Sequence, residues 1–235
     1  MDGNIHGNID GTMLKGDIMK QKQQMRVVTL AATKGGVGKT TLASAIAVRA
    51  AQDGGKVALL DTDPQCSLMR WWELRGEPQN PKIMEIDASL EALGLLMAEG
   101  WDWVIIDTPP ALYDRIESAI FCADVVLIPT RASAIDIEAV DDVVELCTEH
   151  EKRFAFVLNA VSPSWGKLTD TAAAYLKNHG PVLSDRVSLR KAYVSAMTVG
   201  KSGAEIDRDG KAREEINALW SSIKRLASKS SKAVR

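Results

Sequence analysis

Cysteine is scarce in this sequence, and its scarcity excludes two kinds of protein. The 235 residues include three cysteines, Cys66, Cys122 and Cys147, which are odd in number and far apart. Their spacing excludes both a disulfide framework of the kind that holds small secreted domains together and the common metal-ligand patterns. We therefore expect reduced thiols in a cytoplasmic protein.

Long apolar runs are also missing. No stretch approaches the roughly 20 apolar residues that a membrane-spanning helix needs. The first residues lack the apolar core of a signal peptide. The sequence therefore predicts neither a transmembrane span nor a secretion signal.

Composition divides the chain into three parts. Residues 1–24 are rich in Gly, Asn, Gln and Lys with few apolar side chains, which predicts a flexible leader. Residues 25–227 carry the pattern of one domain, and residues 228–235 predict a short basic tail. Because 46% of all residues are hydrophobic, a single domain of this length buries most of its chain surface.

Short apolar runs alternate with amphipathic segments along the domain. The apolar runs predict strands near residues 26–32, 56–61, 83–86, 103–107, 124–129 and 154–159. The amphipathic segments predict helices up to residue 52 and near 68–74, 90–97, 135–146, 168–178, 190–198 and 211–227. Such alternation predicts an α/β fold with a doubly wound, mostly parallel sheet and helices on both faces.

Glycine is concentrated in one stretch, which reads Lys-Gly-Gly-Val-Gly-Lys-Thr-Thr over residues 34–41. An apolar run precedes it and a helical pattern follows it, as a phosphate-binding P-loop requires. Gly35, Gly36 and Gly38 let backbone N–H groups turn inward around phosphate oxygens. The following helix adds the positive end of its dipole. The stretch therefore predicts a nucleotide site.

Side chains of the same stretch fit ATP and Mg²⁺ as cofactors. Lys39 is placed to reach the β- and γ-phosphates, and the Thr40 hydroxyl is placed to ligate Mg²⁺. We assign the whole stretch to nucleotide binding, which adds Val37 and Thr41 to the predicted site. One departure from the standard pattern is Thr33, which stands where glycine is usual.

The lysine pair of this loop carries a family resemblance. Lys-Gly-Gly-x-Gly-Lys-Thr resembles the deviant Walker A motif of the ParA/MinD ATPases, and the resemblance extends from about Arg26 onward. In that family the first lysine, here Lys34, crosses a nucleotide-sandwiched dimer and contacts the partner's phosphates. Such a cation neutralises charge that develops during phosphoryl transfer. The alternative is an ordinary solvated loop lysine.

Two carboxylates follow one apolar run in the segment Val57-Ala-Leu-Leu-Asp-Thr-Asp-Pro-Gln65. In α/β proteins ligands lie at the carboxyl ends of parallel strands, so Asp61 and Asp63 belong beside the P-loop. The segment resembles the family's Asp-x-Asp-Pro-Gln switch. That resemblance implies that Asp63 positions the attacking water and that Asp61 supports the Mg²⁺ shell. The alternative is a pair of turn-forming aspartates.

Another carboxylate ends the apolar run at Trp103–Asp107, before Thr-Pro-Pro at 108–110. The run resembles a Walker B strand, which implies that Asp107 holds Mg²⁺ through water and that residues 108–110 sense the γ-phosphate. A purely structural strand is the alternative. Later in the chain, Asn159 stands where a family asparagine often contacts the adenine edge, although Asn after a strand is commonly a turn residue.

Charge is uneven along the chain, although the net charge is only −2. From residue 186 to the end, twelve basic residues face five acidic ones. Such asymmetry favours a surface that faces a polyanion, with a solvated face as the alternative. The resemblance places non-specific DNA contacts here, on Arg186, Arg190, Lys191, Lys201, Lys211 and Arg213. Without interleaved aromatics, such a surface would recognise phosphate and not base sequence.

The last predicted helix carries one apolar stripe, formed by Ile216, Leu219, Trp220, Ile223 and Leu226. Stripes of this kind usually pack on a core, so we expect the helix to dock on its own sheet. MinD-like proteins instead lay a basic amphipathic C-terminal helix on a membrane. We therefore favour docking over membrane binding.

Within the family, the segments 65–71 and 190–196 resemble short, plasmid-type partition ATPases. This implies a cytoplasmic, nucleoid-associated ATPase that forms an ATP homodimer, binds DNA non-specifically and segregates plasmid or chromosomal DNA. Its hydrolysis would be weak alone and stimulated by a ParB-like centromere-binding or adaptor protein. The alternatives are a MinD-like membrane-associated positioning ATPase and positioning of a non-DNA cargo. Delivery of electrons or metal clusters fits less well, because no Cys-x-x-Cys pair is present.

Overall fold

The computed structural model of the protein describes residues 25–228. The predicted leader, residues 1–24, and residues 229–235 of the predicted tail lie outside the described residues, so both stay predictions. Among the described residues, no helix is both long enough and apolar enough to cross a bilayer.

Six short strands build a single sheet in the described part of the chain. They are β1 (Arg26–Leu30), β2 (Val57–Asp61), β3 (Lys82–Ile83), β4 (Trp103–Asp107), β5 (Val125–Thr130) and β6 (Phe154–Leu158). Every pairing is parallel, and the order across the sheet is β3-β2-β4-β1-β5-β6. Since the winding reverses beside β1, the crevice at its carboxyl end is a natural ligand site. The doubly wound sheet predicted from the sequence is confirmed.

Helices connect the strands and cover both faces of the sheet. They are α1 (Lys39–Gln52), α2 (Ser67–Leu74), α3 (Leu90–Ala98), α4 (Tyr113–Cys122), α5 (Ala134–Glu138), α6 (Asp141–Glu149), α7 (Gly166–Leu176), α8 (Lys191–Met197), α9 (Gly203–Ile206) and α10 (Lys211–Ser228). A 3₁₀ turn at Pro163–Trp165 precedes α7.

Some local predictions differ from the structure. The sequence prediction missed α4 and the four-residue α9, which is too short to show a helical period. The helix predicted over 135–146 is divided into α5 and α6. The acidic pair Asp141 and Asp142 begins the second of these helices, where negative charge interacts favourably with the helix dipole. Strand β3 is also shorter than the predicted strand 83–86.

The core follows from the alternation of side chains along the strands. In β1, Val28 and Leu30 pack with α1, α2 and α10. Val27, which directly precedes Val28, faces the opposite side of the sheet and packs with α3 and α4. Because both faces are covered, the strands read as nearly continuous apolar runs, as buried parallel strands do. The sheet therefore holds the loops at its carboxyl edge on a rigid base.

Helix α10 docks on the sheet, as predicted. Its side chains Ile216, Leu219, Trp220 and Ile223 are buried in the same core as α1. The Trp220 ring meets the Trp103 ring at a centroid distance of 4.5 Å. The apolar stripe of this helix therefore packs in the core of the domain.

The three cysteines are free thiols, consistent with the sequence prediction. Cys66 is exposed, whereas Cys122 and Cys147 are buried. Burial raises the pKa of Cys122 and raises that of Cys147 to about 12. The two buried thiols are therefore protonated and unreactive at neutral pH.

Candidate functional site

The glycine-rich loop between β1 and α1 has the backbone geometry of a phosphate cradle. Gly36 has φ 74° and Gly38 has φ 95°, in the left-handed region that glycine adopts at little cost. A side chain at Gly38 would also bring its Cβ to 2.2 Å from Asn159 Nδ2. Gly35 does not adopt a positive φ. Helix α1 begins directly after the loop, so its N-terminal N–H groups face the same space.

Lys39 is held beneath this loop. Its side chain is only 7% exposed, and its ammonium donates hydrogen bonds to the carbonyl oxygens of Ala32, at 3.0 Å, and Lys34, at 3.2 Å. Burial lowers the pKa of Lys39, while the carboxylates of Asp107 and Asp63 oppose that effect. The cation is therefore fixed inside the loop, where a phosphate group would meet it.

Asp107 lies at the carboxyl end of β4, beside the start of α1. Its carboxylate accepts a 2.6 Å hydrogen bond from the Thr40 hydroxyl through Oδ2. Its other oxygen, Oδ1, is fully buried and has no hydrogen-bond partner among the described residues. Burial raises the pKa of Asp107 to about 7, and the nearby Asp61 adds to that effect, whereas Thr40 opposes it.

This pair fits the predicted magnesium site. Mg²⁺ prefers oxygen ligands and is usually held by one or two carboxylates together with substrate phosphates and water. A hydroxyl and an unpartnered buried carboxylate oxygen meet that requirement. Among the described residues, no group of three or more His, Cys, Asp and Glu side chains forms a metal site.

Asp61 and Asp63 take different positions in the loop after β2. Asp61 lies level with Asp107 in the strand register. Its carboxylate accepts backbone hydrogen bonds from Asp63, at 3.1 Å, and from Leu68 and Met69, both at 2.9 Å. Burial raises the pKa of Asp61, and these three bonds oppose the rise. Asp61 thus anchors the start of α2, and support of a Mg²⁺ shell stays a prediction for it.

The Asp63 carboxylate accepts fewer hydrogen bonds than that of Asp61 and lies near the P-loop. Its Oδ1 accepts a hydrogen bond from the backbone N–H of Gln65 at 2.9 Å. It lies close enough to Lys39 to raise the pKa of that lysine electrostatically. The structure therefore brings Asp63 near the P-loop, which is the position that its predicted role requires.

Arg115, which the sequence did not predict near the site, contacts the loop that contains the two aspartates. From α4, its guanidinium donates a 2.8 Å hydrogen bond to the carbonyl oxygen of Thr62, between the two aspartates. Its helix was missed as well, although Ile116, Ala119 and Ile120 are buried at the helical spacing of three and four residues. That spacing was the signal by which the helix could have been found.

Asn159 lies against the P-loop. Its side chain is buried, and its Nδ2 donates a 2.7 Å hydrogen bond to the carbonyl oxygen of Val37. The sequence predicted a contact with the adenine edge, which stays a prediction. In the structure, this hydrogen bond from Asn159 braces the loop that contains Gly36 and Gly38.

A cavity of about 180 Å³ opens beside this brace. One wall is formed by Gly36, Gly38, Thr41 and the segment around Asn159. The other wall comes from residues between 188 and 194. The cavity therefore adjoins the phosphate cradle, where the rest of a nucleotide would extend.

The predicted DNA-contacting residues do not share one environment. Lys191, Lys201, Lys211 and Arg213 are exposed. Arg186 forms an ion pair with Asp170 at 2.7 Å on the surface.

Arg190 differs from these residues, because it is three-quarters buried and bound to Glu215 at 2.5 Å. Its hydrogen bond to Glu215 raises its pKa. Arg190 also lines the cavity, so it belongs to the nucleotide side of the molecule more than to a free basic surface. A carboxylate partner 25 residues away gives no local sequence signal.

One family model and several individual proteins match the sequence of this chain. A sequence model of the CobQ/CobB/MinD/ParA nucleotide-binding domain matches residues 28–202. Maintenance of carboxysome distribution protein A from Gloeobacter kilaueensis is 36% identical over 220 residues, covering 83% of this chain and 95% of that protein. Protein ParA from Rhizobium radiobacter is 28% identical over 186 residues, covering 75% and 84%.

Solved structures with the same fold include proteins of several kinds. Apo McdA from Cyanothece has a TM-score of 0.68 at 22% identity and covers 83% of this chain and 99% of its own. MinD in the MinC:MinD cell division complex from Aquifex aeolicus has a TM-score of 0.70 at 20% identity, covering 89% and 99%. A plasmid partition protein from Borrelia burgdorferi, bound to AMPPNP, has a TM-score of 0.68 at 20% identity, covering 86% and 99%. At these identities the likeness concerns the fold.

Proposed function

Because the chain belongs to the CobQ/CobB/MinD/ParA family of nucleotide-binding domains, we propose that it is an ATPase of the partition type. In this proposal ATP joins two copies of the chain, and the dimer binds DNA without sequence preference. A partner protein of the ParB or adaptor kind then stimulates hydrolysis. The cargo is plasmid or chromosomal DNA.

The observation that carries the ATPase proposal is the meeting of Lys39, Thr40 and Asp107 at one edge of the sheet. Register pairs Leu30, the last residue of β1, with Asp107. The lysine, the hydroxyl and the buried carboxylate oxygen therefore converge below the loop of Gly36 and Gly38. This is a set of groups for a nucleotide phosphate with its Mg²⁺.

The chain's own residues have separable roles in hydrolysis under this proposal. Lys39 holds the phosphates, and Thr40 with Asp107 holds Mg²⁺, which neutralises phosphate charge when it is bound. Asp63 orients the attacking water through its carboxylate. Lys34 of the partner subunit supplies a further cation to the charge that develops on the transferred group.

Exposed apolar side chains support dimerisation at the nucleotide edge. Leu112, Ile135, Trp165 and Leu168 are all exposed and lie in segments that follow the carboxyl ends of β4, β5 and β6. Apolar groups gathered near a polar site are typical of an interface. A second copy facing this edge would cover them and enclose both nucleotides.

The exposed basic residues support DNA binding. Lys191 begins α8, and Lys211 and Arg213 lie in the first turn of α10. A dimer carries two copies of these basic residues. The second contact with DNA is then effectively intramolecular, and the affinity for DNA rises steeply. ATP would then control DNA binding through dimerisation.

A gel-shift and co-sedimentation experiment tests the proposal. Two unrelated DNA duplexes and, separately, anionic liposomes are mixed with the protein in ATP, in ADP and without nucleotide. We expect both duplexes to bind alike, only with ATP, and to dissociate as salt is raised. Equal DNA binding in all nucleotide states, or none, contradicts the proposal. ATP-dependent liposome binding would instead support the membrane alternative.

A second candidate is the positioning of a protein cargo in place of DNA. It is favoured by the 36% identity to a carboxysome distribution protein over 95% of that relative, which exceeds the 28% identity to a ParA protein. Both candidates use the same ATP and DNA steps. Deletion of the gene separates them, because loss of a low-copy replicon supports partition, whereas clustering of a protein compartment with normal replicon inheritance supports the second candidate.

A further inference from the structure

Glu215, on α10, is bonded to three residues of the cavity wall. Its carboxylate accepts hydrogen bonds from Arg190, at 2.5 and 3.1 Å, from the Tyr193 hydroxyl, at 3.0 Å, and from the backbone N–H of Ser188, at 3.3 Å. The Glu215 side chain is 13% exposed. All three donors come from the segment 188–193, which forms one wall of the cavity beside the P-loop.

These bonds keep the carboxylate charged. Burial opposes ionisation of Glu215, but the hydrogen bonds from Arg190, Ser188 and Tyr193 outweigh it and lower the pKa. Hydrogen bonds to a buried charge are among the stronger ones in proteins. Glu215 therefore fastens α10 to the cavity wall at neutral pH.

The same carboxylate lies one helical turn from the exposed basic residues of α10. Lys211 is the first residue of the helix, Arg213 follows in the same turn, and both are exposed. The Tyr193 hydroxyl also lies 3.3 Å from the carbonyl oxygen of Ala212, between those two residues. The cavity wall is therefore in direct contact with the start of α10.

The wall itself is fitted closely to the neighbouring helix α9. The Tyr193 ring packs over Gly203, where an added Cβ would come within 2.4 Å of the ring. On the solvent side of the same wall, Leu189 and Val194 are exposed at the cavity. One side of the segment is thus rigidly packed, and the other presents apolar side chains to whatever fills the cavity.

From this arrangement we infer that Glu215 is a positioning residue that couples occupancy of the cavity to DNA binding by Lys211 and Arg213. Nucleotide in the cavity fixes the position of the wall, and Glu215 and Tyr193 fix the position of the first turn of α10. This inference rests on the proposed function. By linkage, the factor by which nucleotide raises DNA affinity equals the factor by which DNA raises nucleotide affinity.

The test measures both factors in the full chain and in three variants. A fluorescent, non-hydrolysable ATP analogue reports nucleotide affinity with and without DNA, and anisotropy of a labelled duplex reports DNA affinity with and without the analogue. Glu215→Gln removes the charge, and Tyr193→Phe removes one bond without a change of charge. Glu214→Gln, on an exposed neighbour, is the control for lost negative charge.

We expect Glu215→Gln to reduce both coupling factors together, by about tenfold or more, and Tyr193→Phe to reduce them by about threefold. Glu214→Gln is expected to raise DNA affinity slightly and equally in every nucleotide state. A purely electrostatic role for Glu215 would give the same uniform rise, and that result would overturn the inference. Nucleotide-dependent DNA binding that is unchanged in both Glu215→Gln and Tyr193→Phe overturns it as well.

The experiment also separates this inference from the proposed function. If the unmodified chain binds no DNA in any nucleotide state, the proposed function fails and the inference fails with it. If the unmodified chain shows coupling that Glu215→Gln retains, only the inference fails. Should Glu215→Gln not fold, the charge-neutral Tyr193→Phe still decides the outcome.

Discussion

The Thr40 hydroxyl donates a 2.6 Å hydrogen bond to Asp107 Oδ2, while Asp107 Oδ1 is buried without a partner among the described residues. A carboxylate in this position is unfavourable in the protein alone, since burial raises its pKa to about 7. We propose that a cation bound by the pair would remove this cost, as the magnesium role assigned to Thr40 and Asp107 requires.

Asp107→Asn tests this account of the pair. The amide still accepts the Thr40 bond but offers no negative charge to Mg²⁺. We expect the thermal midpoint of the protein alone to stay level or rise, because an unpaired buried charge is removed. The gain in ATP affinity on adding Mg²⁺ should shrink by about tenfold or more. Calorimetry with Mg²⁺ and with EDTA measures this gain, and an unchanged gain would remove Asp107 from the metal site.

Loss of each of the two P-loop lysines is expected to affect a different property of the protein. Lys39→Ala removes the cation that is held under the loop, so ATP affinity should fall by about 100-fold or more. Lys34→Ala should retain ATP affinity but lose the ATP-dependent dimer and stimulated hydrolysis. Titration calorimetry and size-exclusion chromatography measure the two properties. Retention of the dimer in Lys34→Ala would show that Lys34 acts within its own subunit or not at all.

Asp63→Ala should separate binding from hydrolysis. The carboxylate is expected to orient water, and loss of such a group typically costs about 10²–10⁴ in rate. ATP binding should persist, so the variant should accumulate as a stable ATP dimer in size-exclusion chromatography. Turnover at the level of the unmodified chain would move the role elsewhere, with Asp107 as the next candidate.

Asp61→Ala provides the comparison within the same loop. Its carboxylate accepts the backbone N–H groups of Leu68 and Met69 at the start of α2. Loss of such a helix-start acceptor costs about 0.5–2 kcal/mol. We therefore expect a lower thermal midpoint for Asp61→Ala and an unchanged midpoint for Asp63→Ala. Equal midpoints for the two variants would contradict the structural role of Asp61.

Among the predicted site residues, those that the structure brings together beside the P-loop have a local sequence signal. The P-loop, Asp61, Asp63 and Asp107 each follow an apolar run, and parallel strands bring such ends to one edge of a sheet. Arg190 was predicted as a DNA contact because it lies in a basic segment that resembles the family's DNA-contacting region, whereas its partner Glu215 is remote in sequence. Whether a basic side chain faces solvent or a carboxylate depends on packing that no local pattern encodes.

Asp53, just after α1, fastens α10 to the end of α1. It accepts hydrogen bonds from Lys224, at 2.7 Å, and from the Trp220 indole, at 3.0 Å. These two bonds lower the pKa of Asp53 to about 2 from its ordinary 3.8. We expect Asp53→Ala to reduce the free energy of unfolding by about 1 kcal/mol at neutral pH, since the carboxylate is partly solvated.

The pH dependence of this effect has a definite sign. Because the folded pKa lies below the unfolded one, the contribution of Asp53 is complete above about pH 4 and is lost as pH falls toward 2. Urea titrations followed by tryptophan fluorescence at pH 7, 4 and 3 should show the difference between the two proteins shrinking in acid. Asp209→Ala, at an exposed aspartate, is the control. A difference that grows in acid would contradict the assignment.

The exposed basic residues should contribute to DNA binding through phosphate contacts. Each lysine or arginine that neutralises one phosphate releases condensed counterions, so its loss should reduce the slope of log affinity against log salt by about one. We expect this for Lys191→Ala, Lys211→Ala and Arg213→Ala, with equal weakening on unrelated duplexes. Lys177→Ala removes an equal charge from an exposed position just after α7 and is the matched control.

Arg190→Ala should not behave like these three variants. Its guanidinium is bound to Glu215 beside the cavity that adjoins the P-loop, so under the proposed function its loss should weaken ATP binding and leave the salt slope unchanged. Anisotropy of a labelled duplex at four salt concentrations, with a non-hydrolysable ATP analogue at saturation, measures the slope of each variant. A slope reduced by Arg190→Ala and not by Lys211→Ala would place the DNA surface on the cavity side of α8, because only residues that touch phosphate change the number of ions released.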